Sequence, residues 1–135
     1  MDPDDPDHGI VVQSLNLLLV RDHVIGFTPQ VCRELWSVAT RPRSVNGFEL
    51  EPEFVDQIIT DLQESFALWD DVPGIASRWR DMVVALKIKG IQVHDANHAA
   101  AALKHGATHV LTLDQKDFER YRRFALEPIS PRDVT

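Results

Sequence analysis

The chain has 135 residues, of which 44% are hydrophobic and 26% are charged, and its formal net charge at pH 7 is −7. This length and composition predict one domain, residues 1–135, with an apolar core of ordinary size. The acidic balance argues against broad attraction to a phosphate backbone, which comes mainly from Lys and Arg. It leaves nucleic acid open as a substrate, because carboxylates filled by divalent cations look acidic in a count that omits the metal.

Cysteine usage and the N-terminus indicate the compartment. Cys32 is the single cysteine, which excludes an internal disulfide framework and favours a reducing compartment. We expect it to be a small buried apolar residue. No apolar run approaches the roughly 18 residues of a membrane span, and the start MDPDDPDHG is unlike a basic signal peptide. We therefore expect a cytoplasmic protein without a membrane segment.

The first two thirds of the chain alternate between helical patterns and short apolar segments. Apolar residues recur at helical spacing in HGIVVQSLNLLLVRD, and Thr28 followed by Pro29 is typical of a helix start. RPRSVNGFEL contains Asn46 and Gly47 and predicts a loop. HVIGF predicts a short buried strand, and SFALW is a second short apolar segment. The expected helices cover about residues 8–21, 29–41, 52–64 and 75–89.

The last third of the chain has the clearest pattern. The Ala-rich stretch 95–105 predicts a short helix, and THVLTL predicts a strand rich in β-branched and apolar residues. DQKDFERYRR predicts a turn and another short helix. FALEPIS predicts a final edge strand, because Pro128 and Pro131 limit its pairing. Strands that alternate with helices imply a parallel sheet covered on both faces, so we expect an α/β fold with three layers, α/β/α.

Three acidic residues are expected at one rim of that sheet. Ligands of open α/β sheets bind beyond the carboxyl ends of the strands. Asp114 follows THVLTL, Asp95 begins the Ala-rich helix, and Glu34 lies in the second turn of the helix after HVIGF. Carboxylate oxygens are the preferred ligands of Mg²⁺ and Mn²⁺. The pattern therefore indicates metal-assisted phosphodiester hydrolysis, with Asp117, one turn beyond Asp114, as a further ligand or a cap.

Each acid also has an ordinary structural interpretation, and spacing alone leaves both open. Asp95 is a competent helix N-cap, Asp114 can cap the turn after its strand, and Glu34 can be a solvated helix residue. A zinc site at His94 and His98 is a rival, since they lie four residues apart. No HExxH glutamate or cysteine pair accompanies them, so these histidines are expected to lie at the surface or to support a ligand rather than bind a metal.

Two basic clusters, RPR at residues 41–43 and RYRR at residues 120–123, could hold phosphates beside an acidic centre. Taken alone, each is more typical of a solvated surface. The tryptophans lie in apolar periodic settings, which favours the core over base stacking. They are Trp36, Trp69 and Trp79.

The chain resembles PIN-domain proteins of the VapC toxin type from about His8 onward. The resemblance is carried by TPQVCRELWSVATRP, NGFEL, a Trp in the helix that follows, and HDANHAAAALKHGATHVLTLDQKDFERY. It implies an endoribonuclease that depends on Mg²⁺ or Mn²⁺ and forms the toxin half of a bacterial toxin–antitoxin pair. Such a protein cleaves RNA, is held inactive by a small antitoxin, and is commonly a homodimer.

The resemblance also assigns site residues. By residue match, Glu34 in CRELW takes the place of the family's helix glutamate, and Asp95 in HDA and Asp114 in LTLD take the places of two further acids. Asp117 matches a supporting acid, and Thr112 resembles the hydroxyl residue beside Asp114.

One feature departs from the family pattern. Relatives open with a short apolar strand that ends in an aspartate and lies in the middle of the sheet, whereas MDPDDPDHG resembles the loop and helix that follow it. We expect this first strand to be missing. The start lies upstream, or the chain is a degenerate, non-catalytic PIN-like module that binds an antitoxin, RNA or itself. None of the early aspartates is assigned the catalytic role: Asp2, Asp4, Asp5 and Asp7.

Overall fold

The computed structural model describes residues 7–135 of the chain. Within them the fold is α/β, as predicted, with six α-helices and four short strands joined by loops and 3₁₀ turns. In chain order these elements are α1 (His8–Val20), β1 (Gly26–Phe27), α2 (Pro29–Thr40), α3 (Pro52–Ser65), β2 (Ala67–Leu68), α4 (Ile75–Ala85), α5 (Val93–Lys104), β3 (His109–Leu111), α6 (Gln115–Phe118) and β4 (Glu127–Ile129).

The start of α2 follows its sequence signal. Thr28 is the N-cap, and its side-chain oxygen accepts a hydrogen bond from the Val31 N–H over 3.4 Å. Pro29 is the first helical residue, where its missing N–H costs no intrahelical bond. The helix ends at Thr40, shortly before Pro42. Helix prediction was therefore reliable where a cap and a proline marked the ends.

The end of α4 was predicted wrongly. The sequence pattern placed the end of this helix near Lys89, before Gly90, but the helix ends at Ala85. Lys87 adopts a left-handed conformation with a φ of 52°, and the Ile88 N–H donates to the Val83 carbonyl over 3.0 Å. This geometry is the usual glycine-terminated helix end, here with a lysine in the left-handed position. A lysine carries no such signal in the sequence.

The described residues fall into two compact units, and the smaller one is Ile25–Asp71. In it β1 and β2 pair in parallel, with Gly26 opposite Ala67 and Phe27 opposite Leu68. Helices α2 and α3 pack together.

Cys32 on α2 is half-buried, and burial raises the pKa of its thiol, with the charge of Arg33 opposing that rise. The thiol therefore stays protonated at neutral pH, which suits the apolar role expected for it.

The larger unit comprises Val72–Thr135 and the described residues up to Val24. Here β3 and β4 pair in parallel, with Val110 opposite Pro128. Pro128 is fully buried, yet it costs no hydrogen bond to β3 because β4 is an edge strand and the bonds to β3 come from alternate residues. The neighbouring Glu127 N–H, for example, donates to the Thr108 carbonyl over 2.9 Å. The predicted parallel pairing and the edge strand are both confirmed.

The core of the larger unit lies between α4 and α5. The apolar face of α5 is made of alanines, and this lets α4 approach closely and bury Met82. Trp79 packs against the same cluster, as expected for a core tryptophan. Tyr121 and Leu126 close the far side and are almost completely buried. The buried alanines of α5 are Ala96, Ala99, Ala100 and Ala101.

Helix α1 is attached to the C-terminal 3₁₀ turn, Pro131–Asp133. The Arg132 guanidinium pairs with the Asp7 carboxylate, and the Arg21 guanidinium donates to the Thr135 carbonyl. No helix within residues 7–135 has both the length and the apolar content needed to cross a membrane. The remaining early aspartates, Asp2, Asp4 and Asp5, lie outside the described residues, and the absence of a first strand stays a prediction.

A pair of glycine substitutions tests the packing of β1. A Cβ added to Gly26 would lie 2.1 Å from Cδ2 of Trp69, whereas one added to Gly9 on α1 meets nothing within 4 Å. We expect Gly26→Ala to lower the free energy of unfolding by about 1–3 kcal/mol through overpacking. Gly9→Ala should be neutral or raise it by up to about 1 kcal/mol, because alanine favours helix. Urea denaturation measures both, and equal stability of the two variants would contradict the packing of Trp69 on β1.

Candidate active site

Asp95 is positioned by the packing of α5. The helix begins at Val93 with Gln92 as its cap, so the interpretation of Asp95 as an N-cap is wrong. Asp95 lies in the first turn, where the positive end of the helix favours a carboxylate. The Trp79 indole N–H donates to the Val93 carbonyl over 2.8 Å and ties this turn to α4. Asp95 is half-buried, and the adjacent Ala96 is completely buried.

Asp114 stands where β3 leads into α6. It occupies the N-cap position of α6, but its side chain makes no capping hydrogen bond, so the capping interpretation is wrong here too. Its N–H donates to Thr112 Oγ1 over 3.0 Å, and the Thr112 N–H donates to the Ile129 carbonyl over 2.9 Å. The backbone of Asp114 is therefore fixed to the strand end, while its side chain is exposed.

Asp117 lies on α6 and is exposed. Its N–H donates to the Asp114 carbonyl over 3.0 Å, which forms the turn that follows β3. The backbone thus places the two aspartates on one short segment.

Glu34 lies in the second turn of α2 and is exposed, as the sequence predicted. The Gln30 Nε2 amide donates to Glu34 Oε1 over 3.1 Å, along one face of the helix. Glu34 belongs to the smaller unit, and Asp95 and Asp114 belong to the larger one. The convergence of all three acids on one rim stays a prediction.

Within residues 7–135, no three side chains of the types His, Cys, Asp and Glu form a group that would hold a metal ion. The His94 and His98 alternative therefore gains no support as a zinc site. Each candidate ligand is placed individually by its own element, and their joint action as ligands stays a prediction. The four candidates are Glu34, Asp95, Asp114 and Asp117.

Tyr121 is a feature that sequence reasoning missed. It is 1% exposed, and its hydroxyl oxygen is buried without a hydrogen-bond partner in the described chain. Burial raises the pKa of Tyr121, the Arg120 guanidinium lowers it, and the Asp95 carboxylate raises it further. Tyr121 also belongs to the same buried cluster as Ala96, the residue that follows Asp95. A lone tyrosine inside RYRR was the available signal, but the basic residues around it favoured a surface interpretation.

The chemistry of these donors fits a divalent cation such as Mg²⁺. Mg²⁺ usually keeps several waters and is held by one or two carboxylates together with substrate phosphates, so a closed group of three protein ligands is not required. Asp95 and Asp114 supply carboxylate oxygens. The buried Tyr121 hydroxyl is a group that could donate a hydrogen bond to a metal-binding carboxylate.

The basic cluster at residues 120–123 is partly neutralised. Arg122 pairs with Glu119 over 2.6 Å and with Glu127 over 3.0 Å, and these two carboxylates hold the pKa of Arg122 above its ordinary value. Arg120 Nη1 donates to Gln92 Oε1 over 3.1 Å, at the start of α5. Arg120 is thus the member of the cluster that the structure places near Asp95.

Carboxylates at a strand end and at a helix start of a parallel α/β fold are typical of hydrolases that act on phosphate esters with bound cations. The family model described as PIN domain matches residues 4–124, and the chain therefore belongs to the PIN-domain family. PIN domains are generally nucleases and typically use divalent metal ions. No curated protein matches the sequence.

The contact between Thr112 and Asp114 leads to a stability prediction. Thr112→Val removes the hydroxyl that accepts the Asp114 N–H but keeps the branched shape. We expect it to lower the free energy of unfolding by about 1 kcal/mol, the typical net value of such a bond. Thr112→Ser keeps the hydroxyl and should retain more of this stability than Thr112→Val. Chemical denaturation compares the two, and a Thr112→Val protein as stable as Thr112→Ser would show that the hydrogen bond is unimportant.

Proposed function

We propose that this protein is a divalent-metal-dependent endoribonuclease and the toxin component of a toxin–antitoxin system. The observation that carries the proposal is the position of Asp95, which a packed helix start holds half-buried within a chain of the PIN-domain family. The compartment that we propose is the cytoplasm, on the basis of the single free Cys32.

The candidate ligands have distinct roles in this proposal. Asp95, Asp114 and Glu34 hold the cation, with Asp117 as a supporting acid. A bound Mg²⁺ or Mn²⁺ would activate water and stabilise the leaving oxygen of the phosphodiester. The Thr112 hydroxyl orients Asp114 by accepting a hydrogen bond from the Asp114 backbone N–H. The half-buried setting of Asp95 restricts the freedom of its side chain, so less conformational entropy is lost when the cation and RNA bind.

Substrate binding in this proposal uses few basic side chains. Arg120 lies close to the start of α5, and Arg123 packs its guanidinium over the Phe124 ring at 5.5 Å. Both can meet phosphates of a bound RNA. With a net charge of −7, the chain relies on the cation and on these local contacts rather than on a broad positive surface.

A second candidate function is a non-catalytic PIN-like module that binds an antitoxin, RNA or another copy of the chain. The absence of a three-ligand metal group within residues 7–135 favours it. The two functions differ in one measurable property, since the enzyme requires a cation and the module does not.

The proposed protein partners are a small antitoxin and a second copy of this chain. Helix α1 carries an open, largely apolar groove. Val12 and Val20 on this helix are exposed, and Val20 retains 80% of its accessible surface. Exposed apolar surface of this kind marks an interaction site when it is contiguous. The groove is lined by His8, Gly9, Val12, Gln13, Asn16, Leu17 and Val20.

Metal binding and cleavage test the enzyme proposal together. Calorimetric titration with Mn²⁺ should show binding by the wild-type chain, and a labelled RNA should be cleaved only when Mg²⁺ or Mn²⁺ is present. Asp95→Asn should abolish both, because an amide is a much weaker ligand than a carboxylate. Asp133→Asn, which changes an exposed aspartate outside the candidate set, should change neither.

Thermal unfolding of the Asp95→Asn protein tests whether it is folded under the conditions of both assays. Equal Mn²⁺ binding by wild type and Asp95→Asn would refute the assignment of Asp95. Mn²⁺ binding without cleavage would favour the non-catalytic module.

The association proposal is tested by sedimentation of lysine variants. We expect the wild-type chain to sediment as a dimer, and Val12→Lys or Val20→Lys to shift it towards monomer, because a charge in an apolar interface loses its hydration. Val84→Lys is the matched control, since Val84 is also highly exposed but lies on α4. A wild-type chain that stays monomeric at high concentration would contradict the homodimer.

A further inference from the structure

Tyr121 carries one of the buried polar side-chain atoms that have no hydrogen-bond partner within residues 7–135. Its ring packs against Phe118 with a centroid distance of 5.6 Å and belongs to the same apolar cluster as Leu126. A phenylalanine would make these contacts equally well. The hydroxyl is buried and has no hydrogen-bond partner within residues 7–135.

A buried hydroxyl without a partner lowers stability, because it loses its hydration and gains no hydrogen bond in return. Buried hydroxyls in proteins almost always have a partner, so an exception calls for a partner that the resting arrangement does not supply. The segment that carries this hydroxyl lies against the start of α5, because Tyr121 shares a buried cluster with Ala96 and Arg120 donates to Gln92 over 3.1 Å. The charged groups that act on the hydroxyl from there are Arg120 and Asp95. Arg120 has donors but no acceptor, so it can only donate to the tyrosine oxygen. Asp95 is the neighbour whose carboxylate can accept a hydrogen bond from the Tyr121 hydroxyl.

The backbone on each side of this pair is fixed. Asp95 lies in the first turn of α5, which the Trp79 indole ties to α4. Tyr121 lies in the 3₁₀ turn Glu119–Phe124, directly after α6. These two elements therefore hold Tyr121 beside the first turn of α5, where Ala96, the residue after Asp95, belongs to the same buried cluster.

We propose that Tyr121 is a positioning residue for Asp95, and that its hydroxyl donates a hydrogen bond to one Asp95 oxygen while the other oxygen binds the divalent cation. The inference rests on the proposed function, because it concerns the same site. A carboxylate has about four lone-pair positions, so it can accept this bond, keep its other contacts and bind a cation. Hydrogen bonds of this kind orient the carboxylates of metal sites and are worth about 10-fold to 100-fold in metal affinity.

Four proteins, each the full chain, distinguish this role from a purely structural one. They are the wild type, Tyr121→Phe, Asp95→Asn and a control, Ser14→Ala. Ser14 is also 1% exposed, but its hydroxyl donates to the Val11 carbonyl over 2.8 Å within α1. Each is titrated with Mn²⁺ by calorimetry, and its melting temperature is measured without metal and with saturating Mn²⁺.

We expect Tyr121→Phe to bind Mn²⁺ about tenfold more weakly than wild type, at the lower end of the range for such supporting bonds. Its melting temperature without metal should equal or exceed that of wild type, because the variant no longer buries an unsatisfied hydroxyl. The rise in melting temperature on addition of Mn²⁺ should be smaller than in wild type. Ser14→Ala should bind Mn²⁺ as wild type does.

The outcomes that overturn the inference are separate from those that overturn the proposed function. If wild type and Tyr121→Phe bind Mn²⁺ equally while Asp95→Asn does not, the positioning role is wrong and the metal site stands. A Tyr121→Phe protein that is less stable without metal and equally tight for Mn²⁺ would show that the hydroxyl has an internal structural partner. If the wild-type chain binds no Mn²⁺, the metal-dependent function and this inference both fail.

Discussion

The close packing of α4 on α5 through alanine side chains is the constraint on which the larger unit depends. An alanine has no side chain beyond Cβ, so the two helix backbones approach until Met82 fills the remaining space. Adding methylenes at such a contact costs about 1–3 kcal/mol, because a closely packed core has no room for them. The same packing holds the first turn of α5 in place through Trp79, and Asp95 is on that turn. The position of the proposed metal ligand therefore follows from the apolar core beneath it.

The two sides of the candidate site are ordered in different ways. Asp95 is half-buried on a helix with a fixed start, whereas Asp114 is exposed and is fixed only through its backbone contact with Thr112. A half-buried carboxylate has less rotational freedom to lose when it binds a cation than an exposed one has. The proposed site thus combines one ligand of restricted freedom with others that become ordered when metal and phosphate bind.

Much of the secondary structure followed from local signals, and the failures have identifiable physical causes. The start of α2 and the edge strand β4 were predicted because Thr28, Pro29 and Pro128 act on the backbone of their own segment. The end of α4 was missed because Lys87 adopts a left-handed conformation there. A glycine at this position would have indicated the helix end, but a lysine does not. The strands are shorter than the apolar segments that predicted them, since pairing stops where the partner strand ends.

The candidate site was predictable in residue type but not in environment. The carboxylates after a strand and near a helix start were identified from spacing and from the family resemblance. Burial of Tyr121 was not, since it depends on contacts with the α4–α5 core, which is distant in the sequence.

The net negative charge of the chain limits the electrostatic contribution to RNA binding by the proposed enzyme. Arg122 forms ion pairs with Glu119 and Glu127, which compete with a phosphate for its guanidinium. Arg120 and Arg123 remain as nearby cations for phosphates. Nucleic-acid affinity weakens with salt in proportion to the number of phosphates that basic side chains neutralise. Because two arginines neutralise few phosphates, the affinity of this chain for RNA should vary less with salt than with the concentration of the divalent cation.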